Sequence, residues 1–163
     1  MLERSLLRLS PLGTRNVDAP ATIVDRNGLR VVEELFPSIW SVRASRRCGD
    51  MTALLAQCAR VEPRAWLAIG REPTEASGVE GLQVIDVSQR YASFRISGAY
   101  AHDLFDAALS TSPQGLASGC CLRTRFAEEC EVLVQALNGG EYRLLIDAPL
   151  AHVAAQWLRD YAR

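Results

Sequence analysis

Two segments fifty residues apart carry the same pattern, and that repeat narrows the folds open to the chain. Phe94, Ile96, Gly98 and the Ala101-His102 pair lie over Leu144, Ile146, Ala148 and Ala151-His152. Each copy reads as a short strand, a turn of small residues, and a helix with Ala-His in its first turn. The first strand alternates: Tyr91, Ser93, Arg95 and Ser97 on one face, Ala92, Phe94 and Ile96 on the other. Two strand–helix units joined by hairpins predict an α+β fold. Its helices pack on one face of a mainly antiparallel sheet, as ferredoxin-like βα repeats.

The flanking sequence fills in the sheet. Strands are expected over 29–36 and 38–42 around Pro37, although Val31 to Phe36 also suits a helical turn. Further strands are expected over 65–69, 82–87, 91–97, 121–126, 131–137 and 142–146, with Asn138-Gly139-Gly140 as a hairpin turn. Helices are expected over 49–61, capped by Asp50 with Met51, Leu54, Leu55 and Cys58 at helical spacing, and over 100–109. A last helix follows Asp147, with Pro149 near its start, and runs to Tyr161. Residues 1–28, with Pro11-Leu12-Gly13 and Asn27-Gly28, read as an extended N-terminal arm, and 29–163 as one α+β domain.

Charge and composition exclude several activities. All 18 basic residues are Arg, which removes Schiff-base lysines, the P-loop lysine and Ser–Lys dyads. A net charge of −1 supplies no basic field for nucleic acid. The opening residues have no uninterrupted apolar core of a secretory signal, and no apolar run is long enough to span a bilayer. The five cysteines, Cys48, Cys58, Cys120, Cys121 and Cys130, form neither a CxxC pair nor a zinc pattern. Reduced thiols in a cytoplasmic protein are expected.

Few side chains suggest chemistry. His102 and His152 are the only histidines, and their equivalent places in the repeat suggest a structural role at helix starts. Arg46-Arg47 with Arg43 is the one basic cluster; it suits a solvated loop or strand end, with binding of phosphate or an acidic partner surface as the alternative. Trp40, Trp66 and Trp157 sit in strand and helix patterns that suit core packing, with flavin or base stacking as the alternative. Glu128, Glu129 and Glu131 lack the loop spacing of a calcium site. No catalytic motif or self-contained active site is spelled out.

Three stretches carry a family resemblance. They are Trp66-Leu67-Ala68-Ile69-Gly70; Asp86-Val87-Ser88-Gln89-Arg90 with the strand ending Ser97-Gly98; and Cys130 to Ala148 followed by Gln156-Trp157-Leu158. From Ala65 onward the chain resembles the gamma subunit of heterotetrameric sarcosine oxidase. That subunit is related to the folate-binding domain of the glycine cleavage T-protein. Gln89 stands where the family pattern has His.

The resemblance implies a non-catalytic gamma subunit in a flavin-dependent complex that oxidises sarcosine or a related N-methyl amino acid. Its partners would be larger alpha and beta flavoprotein subunits and a small delta subunit. FAD, FMN, NAD, tetrahydrofolate and zinc would all be held by those partners, with none bound by this chain. The motif's position makes Asp86, Ser88 and Arg90, with the N-terminal arm, the expected subunit contact. An alternative is a small folate-binding protein. The T-protein's folate-contacting Asp and Asn then correspond to Glu131 and Asp147. A third possibility is an interaction domain of the same fold without an oxidase partner.

Overall fold

The computed structural model describes Leu12, residues 20–35, 37–46, 58–76 and 78–163, and singly Cys48, Met51 and Leu55. Ten strands form two antiparallel sheets. The strands are β1 (Thr22–Arg26), β2 (Leu29–Glu34), β3 (Ile39–Ala44), β4 (Ala59–Glu62), β5 (Ala65–Ile69), β6 (Leu82–Asp86), β7 (Tyr91–Ser97), β8 (Cys121–Phe126), β9 (Cys130–Ala136) and β10 (Tyr142–Asp147). The helices are α1 (Ala101–Ala108) and α2 (Ala151–Tyr161). The larger sheet has the order β1-β2-β7-β10-β9-β8 and the smaller β4-β5-β3-β6.

The repeat sits at the centre of the larger sheet. β7 and β10 are direct antiparallel neighbours, and Phe94 pairs with its repeat equivalent Leu144. The two strand–helix units are therefore related by a local pseudo-twofold axis between these strands. Period-two alternation gives the sheet two different faces. Phe94, Ile96, Val132, Val134, Leu144 and Ile146 bury one face against Leu104 and Phe105 of α1 and Ala154, Ala155 and Leu158 of α2. The opposite face presents Leu133 and Leu145, which pack on Ile39 and Leu67 of the smaller sheet. The layers run helices, six strands, four strands.

Sheet and helices thus follow the expected α+β plan, with differences at two places. The helix expected over 49–61 ends instead as β4, paired antiparallel with β5. Asp50 and Leu54 lie outside the described residues. The physical reason is local: Glu62 precedes Pro63, which disfavours the helical conformation there, and Val61 adds a β-branched side chain. Leu55 and Cys58 pack with Val42 and Trp66 on the outer face of the smaller sheet, and the Leu55 amide donates to the Met51 carbonyl at 2.9 Å. The second difference is in the segment read as an arm. Thr22–Arg26 is a sheet strand, and Asn27 (φ 53) with Gly28 (φ 73) makes the tight hairpin into β2.

The Ser97-Gly98 step that ends β7 has a steric cause. Gly98 lies at φ +108, and a Cβ there would stand 2.0 Å from the Gly28 carbonyl oxygen. The β1–β2 turn thus packs directly on the β7–α1 turn, leaving room only for glycine. Gly98→Ala should cost roughly 2–4 kcal/mol of stability, read by urea denaturation, whereas Gly115→Ala, at positive φ with open space around it, should cost less.

On the face away from the helices, a polar network spans the strands beside the apolar patch. Glu34 accepts from Arg143 Nε and Nη2 at 2.5 and 3.0 Å, from Ser93 Oγ at 2.6 Å and from Arg95 Nε at 3.2 Å. Burial pushes the Glu34 carboxyl up, but the Arg143 and Ser93 hydrogen bonds and the charges of Arg143 and Arg95 outweigh it, and its pKa is lowered. A depressed carboxylate stabilises the fold above its unfolded pKa and loses that contribution as pH falls through the folded value. Denaturation at a series of pH values should therefore show stability falling with acid below about pH 4.5. Glu34→Gln should flatten that slope and, by leaving Arg143 poorly paired, cost about 1–3 kcal/mol at neutral pH.

Candidate functional site

Beside the apolar contact between the two sheets lies a cleft of about 260 Å³ lined by residues of both. Ser41, Arg43, Leu67, Gln83 and Ile85 line it from the smaller sheet, and Arg90, Tyr91, Arg123 and Leu133 from the larger. Its floor is apolar and its rim charged. Strand alternation places these residues: 41, 43, 83 and 85 share the inward face of β3 and β6, while Val42, Leu82 and Val84 pack on the outer face.

The residues expected for partner contact and those expected for folate fall into one neighbourhood. Arg90 Nε donates to Asp147 Oδ1 at 3.2 Å, joining the start of β7 to the end of β10. Arg123 of β8 pairs with Glu62 of β4 at 2.8 Å and Glu131 of β9 at 3.4 Å, tying the two sheets together. Tyr91, opposite Asp147 in the β7–β10 register, carries the Arg90 guanidinium 5.3 Å above its ring centre. The Asp147 hydrogen bond, with Tyr91 beside it, holds Arg90 above its ordinary range. Burial pushes the Tyr91 hydroxyl up, with Arg90 opposing. Glu131 and Asp147 thus both already have a guanidinium partner. Glu62 and Arg123, which complete the cluster, had no sequence signal because their meeting depends on how the sheets pack.

Asp86 and Ser88 do internal work. Ser88 is buried; its hydroxyl donates to Asp86 Oδ1 at 2.5 Å and accepts the Ile39 amide at 2.8 Å. The Ser88 amide also donates to Asp86 Oδ1, at 2.9 Å. The Asp-Val-Ser step therefore closes the β6–β7 turn and anchors the start of β3 in a 3₁₀ turn (Ser88–Arg90).

Other candidates have structural settings. His102 packs edge-on against Tyr142 with ring centres 5.5 Å apart, its Nδ1 buried without a described partner. His152 is exposed on α2. Trp66 packs under the smaller sheet, and Trp157 meets Phe126 edge-on and stacks on Tyr161. Burial pushes the Cys58 and Cys130 thiols up and Cys121 to about 12, away from the thiolate form. Arg43 makes no ion pair among the described residues, and Arg47 lies outside them. Among the described residues, no group of three or more His, Cys, Asp or Glu could hold a metal ion. No described helix is long and apolar enough to cross a membrane.

No family model matches this sequence, and no curated protein does. A solved structure does match: a chain of the heterotetrameric sarcosine oxidase from Corynebacterium sp. U-96, in complex with pyrrole 2-carboxylate. The TM-score is 0.69 at 18% identity, over 85% of this chain and 86% of that one. The two chains share a fold. The shares covered are nearly equal, so the likeness runs chain to chain between molecules of similar length.

Ser88→Ala removes the acceptor for the buried Ile39 amide and one donor to Asp86. It should destabilise the protein by about 1–3 kcal/mol in urea denaturation. Ser88→Thr, which keeps the hydroxyl, should recover part of that loss.

Proposed function

We propose that this chain is a non-catalytic gamma subunit of a heterotetrameric, flavin-dependent oxidase of sarcosine or a related N-methyl amino acid. The observation that carries this reading is the chain-to-chain fold likeness, TM-score 0.69, to a component of such an oxidase. The motifs from Trp66 to Leu158 support the same assignment independently of the coordinates. The cleft chemistry agrees with it: the carboxylates at its rim are held in Arg ion pairs, an arrangement that stiffens a sheet–sheet junction. In this reading FAD, FMN, NAD, tetrahydrofolate and zinc belong to the alpha, beta and delta partners. The exposed side of Arg90 and Asp86 remains part of the expected contact region, with Ser88 supporting it from beneath.

The test is to tag the chain, purify it gently from its native cell, and record partner masses and the visible spectrum. Two larger chains, a flavin spectrum and bleaching of that spectrum by sarcosine without oxygen are the expected result. A colourless monomer, recovered while the partner subunits are expressed but absent from the eluate, would overturn the proposal.

A further inference from the structure

Two sheets give four edge strands, and three of them are guarded against pairing with another chain. An unguarded edge offers a row of free backbone donors and acceptors, which folded proteins block with charges, bulges or covering segments. β1 has a register break between Thr22 and Val24 and carries Asp25 and Arg26. β4 is four residues long, breaks register between Arg60 and Glu62, and is charged at both. β8 carries Arg123 and Arg125, and the segment after α1 covers its end: Leu109 bridges Phe126 and the Ser110 amide donates to the Arg125 carbonyl.

Among the described residues β6 is the least guarded: its one charge, Asp86, stands at its end with the carboxylate bonded to Ser88, and its Leu82 amide is taken by the Val79 carbonyl. It pairs with β3 through five consecutive residues without a break, and Leu82, Gln83, Val84 and Ile85 are uncharged. Ile85 is 44% exposed. The direction of its free groups follows from the ladder. Ser45 donates to the Gly81 carbonyl and Val87 to the Ile39 carbonyl, so odd-numbered residues of β6 bond inward to β3. The amide and carbonyl of Val84 therefore point outward, and they meet no partner among the described residues.

Resting on the subunit reading above, we infer that β6 is the docking edge, extended by one strand from a larger partner protein. The flanking side chains state what that strand must offer. On the cleft face it needs an apolar residue beside Ile85. It also needs a carboxylate beside Gln83, about 10 Å across two strand spacings from Arg43, within reach of two long side chains. Arg43 lines the cleft next to Gln83 in the β3–β6 register and lacks an ion pair among the described residues. A second copy fits this edge less well. Twofold pairing about Val84 would set Ile85 against Gln83 and bring no carboxylate to Arg43.

The test compares the isolated chain with the assembly that the tagged chain brings down from its native cell. Amide hydrogen exchange at Val84 should be fast in the isolated chain and strongly slowed in the assembly. Val84→Pro removes an outward amide that β3 does not use and trims one partly buried side chain, so the isolated variant should keep its circular dichroism while partner recovery falls at least about tenfold. Arg43→Glu should also lower recovery, and Arg43→Lys should restore it. Should Val84→Pro fail to fold, the exchange comparison on the unmodified chain still decides.

Unchanged Val84 exchange in a flavin-containing assembly would overturn the docking edge while leaving the oxidase reading intact. Protection in an assembly without flavin would support the edge and overturn the oxidase reading. Protection in a dimer of the chain alone would overturn the unlike partner in favour of self-pairing. Recovery of an unprotected monomer alone would overturn both.

Discussion

The antiparallel pairing of β7 with β10 is the interaction on which the other layers depend. It joins residues about fifty apart in sequence through six consecutive pairs, from Tyr91↔Asp147 to Ile96↔Tyr142. Because side chains alternate, this one register assigns every residue of both strands to a face. Phe94, Ile96, Leu144 and Ile146 go to the helices; Ser93, Arg95, Arg143 and Leu145 go to the other side. A slip of β10 by one residue against β7 would place Arg143 and Leu145 under the helices and leave Leu144 and Ile146 outside the helix-packed core. The register is thus enforced by hydrophobic burial on one face and ion pairing on the other.

That second face is divided in its chemistry. Leu133 and Leu145 receive the smaller sheet, whereas Glu34 with Arg143, Ser93 and Arg95 forms a satisfied polar network beside it. At the far boundary Arg123 joins Glu62 and Glu131, and Arg90 joins Asp147. The cleft between the sheets is therefore rimmed by charges that already have partners, with Arg43 the cation on its lining that lacks one among the described residues. A chain arranged this way has the polar groups of its cleft rim committed to holding strands and layers together.

Much of this was legible in advance, where local pattern and tertiary demand agreed. β5, β7 and β8 fall where alternation and apolar runs place them, and Asn138-Gly139-Gly140 makes the turn its glycines permit. Legibility failed at two places. Helical spacing around Met51, Leu55 and Cys58 extended the expected helix to Val61, whereas the pre-proline Glu62 settled 59–62 as strand. Asn27-Gly28 is a hairpin signal, but the short β1 before it, with its register break, offered too little alternation to read.

By itself, the sequence determined the strand–helix repeat, the antiparallel α+β class, the exclusion of lysine chemistry and the glycine at position 98. Each rests on residue type or local periodicity. Only the tertiary structure decided that the strands divide into two sheets, that Ser88 is an internal anchor, and that Arg90 and Asp147 meet. It alone showed that β6 is the least guarded sheet edge among the described residues. Those facts depend on which distant segments pair and which faces pack, and no local pattern encodes a contact whose partner is fixed by the assembly of the whole chain.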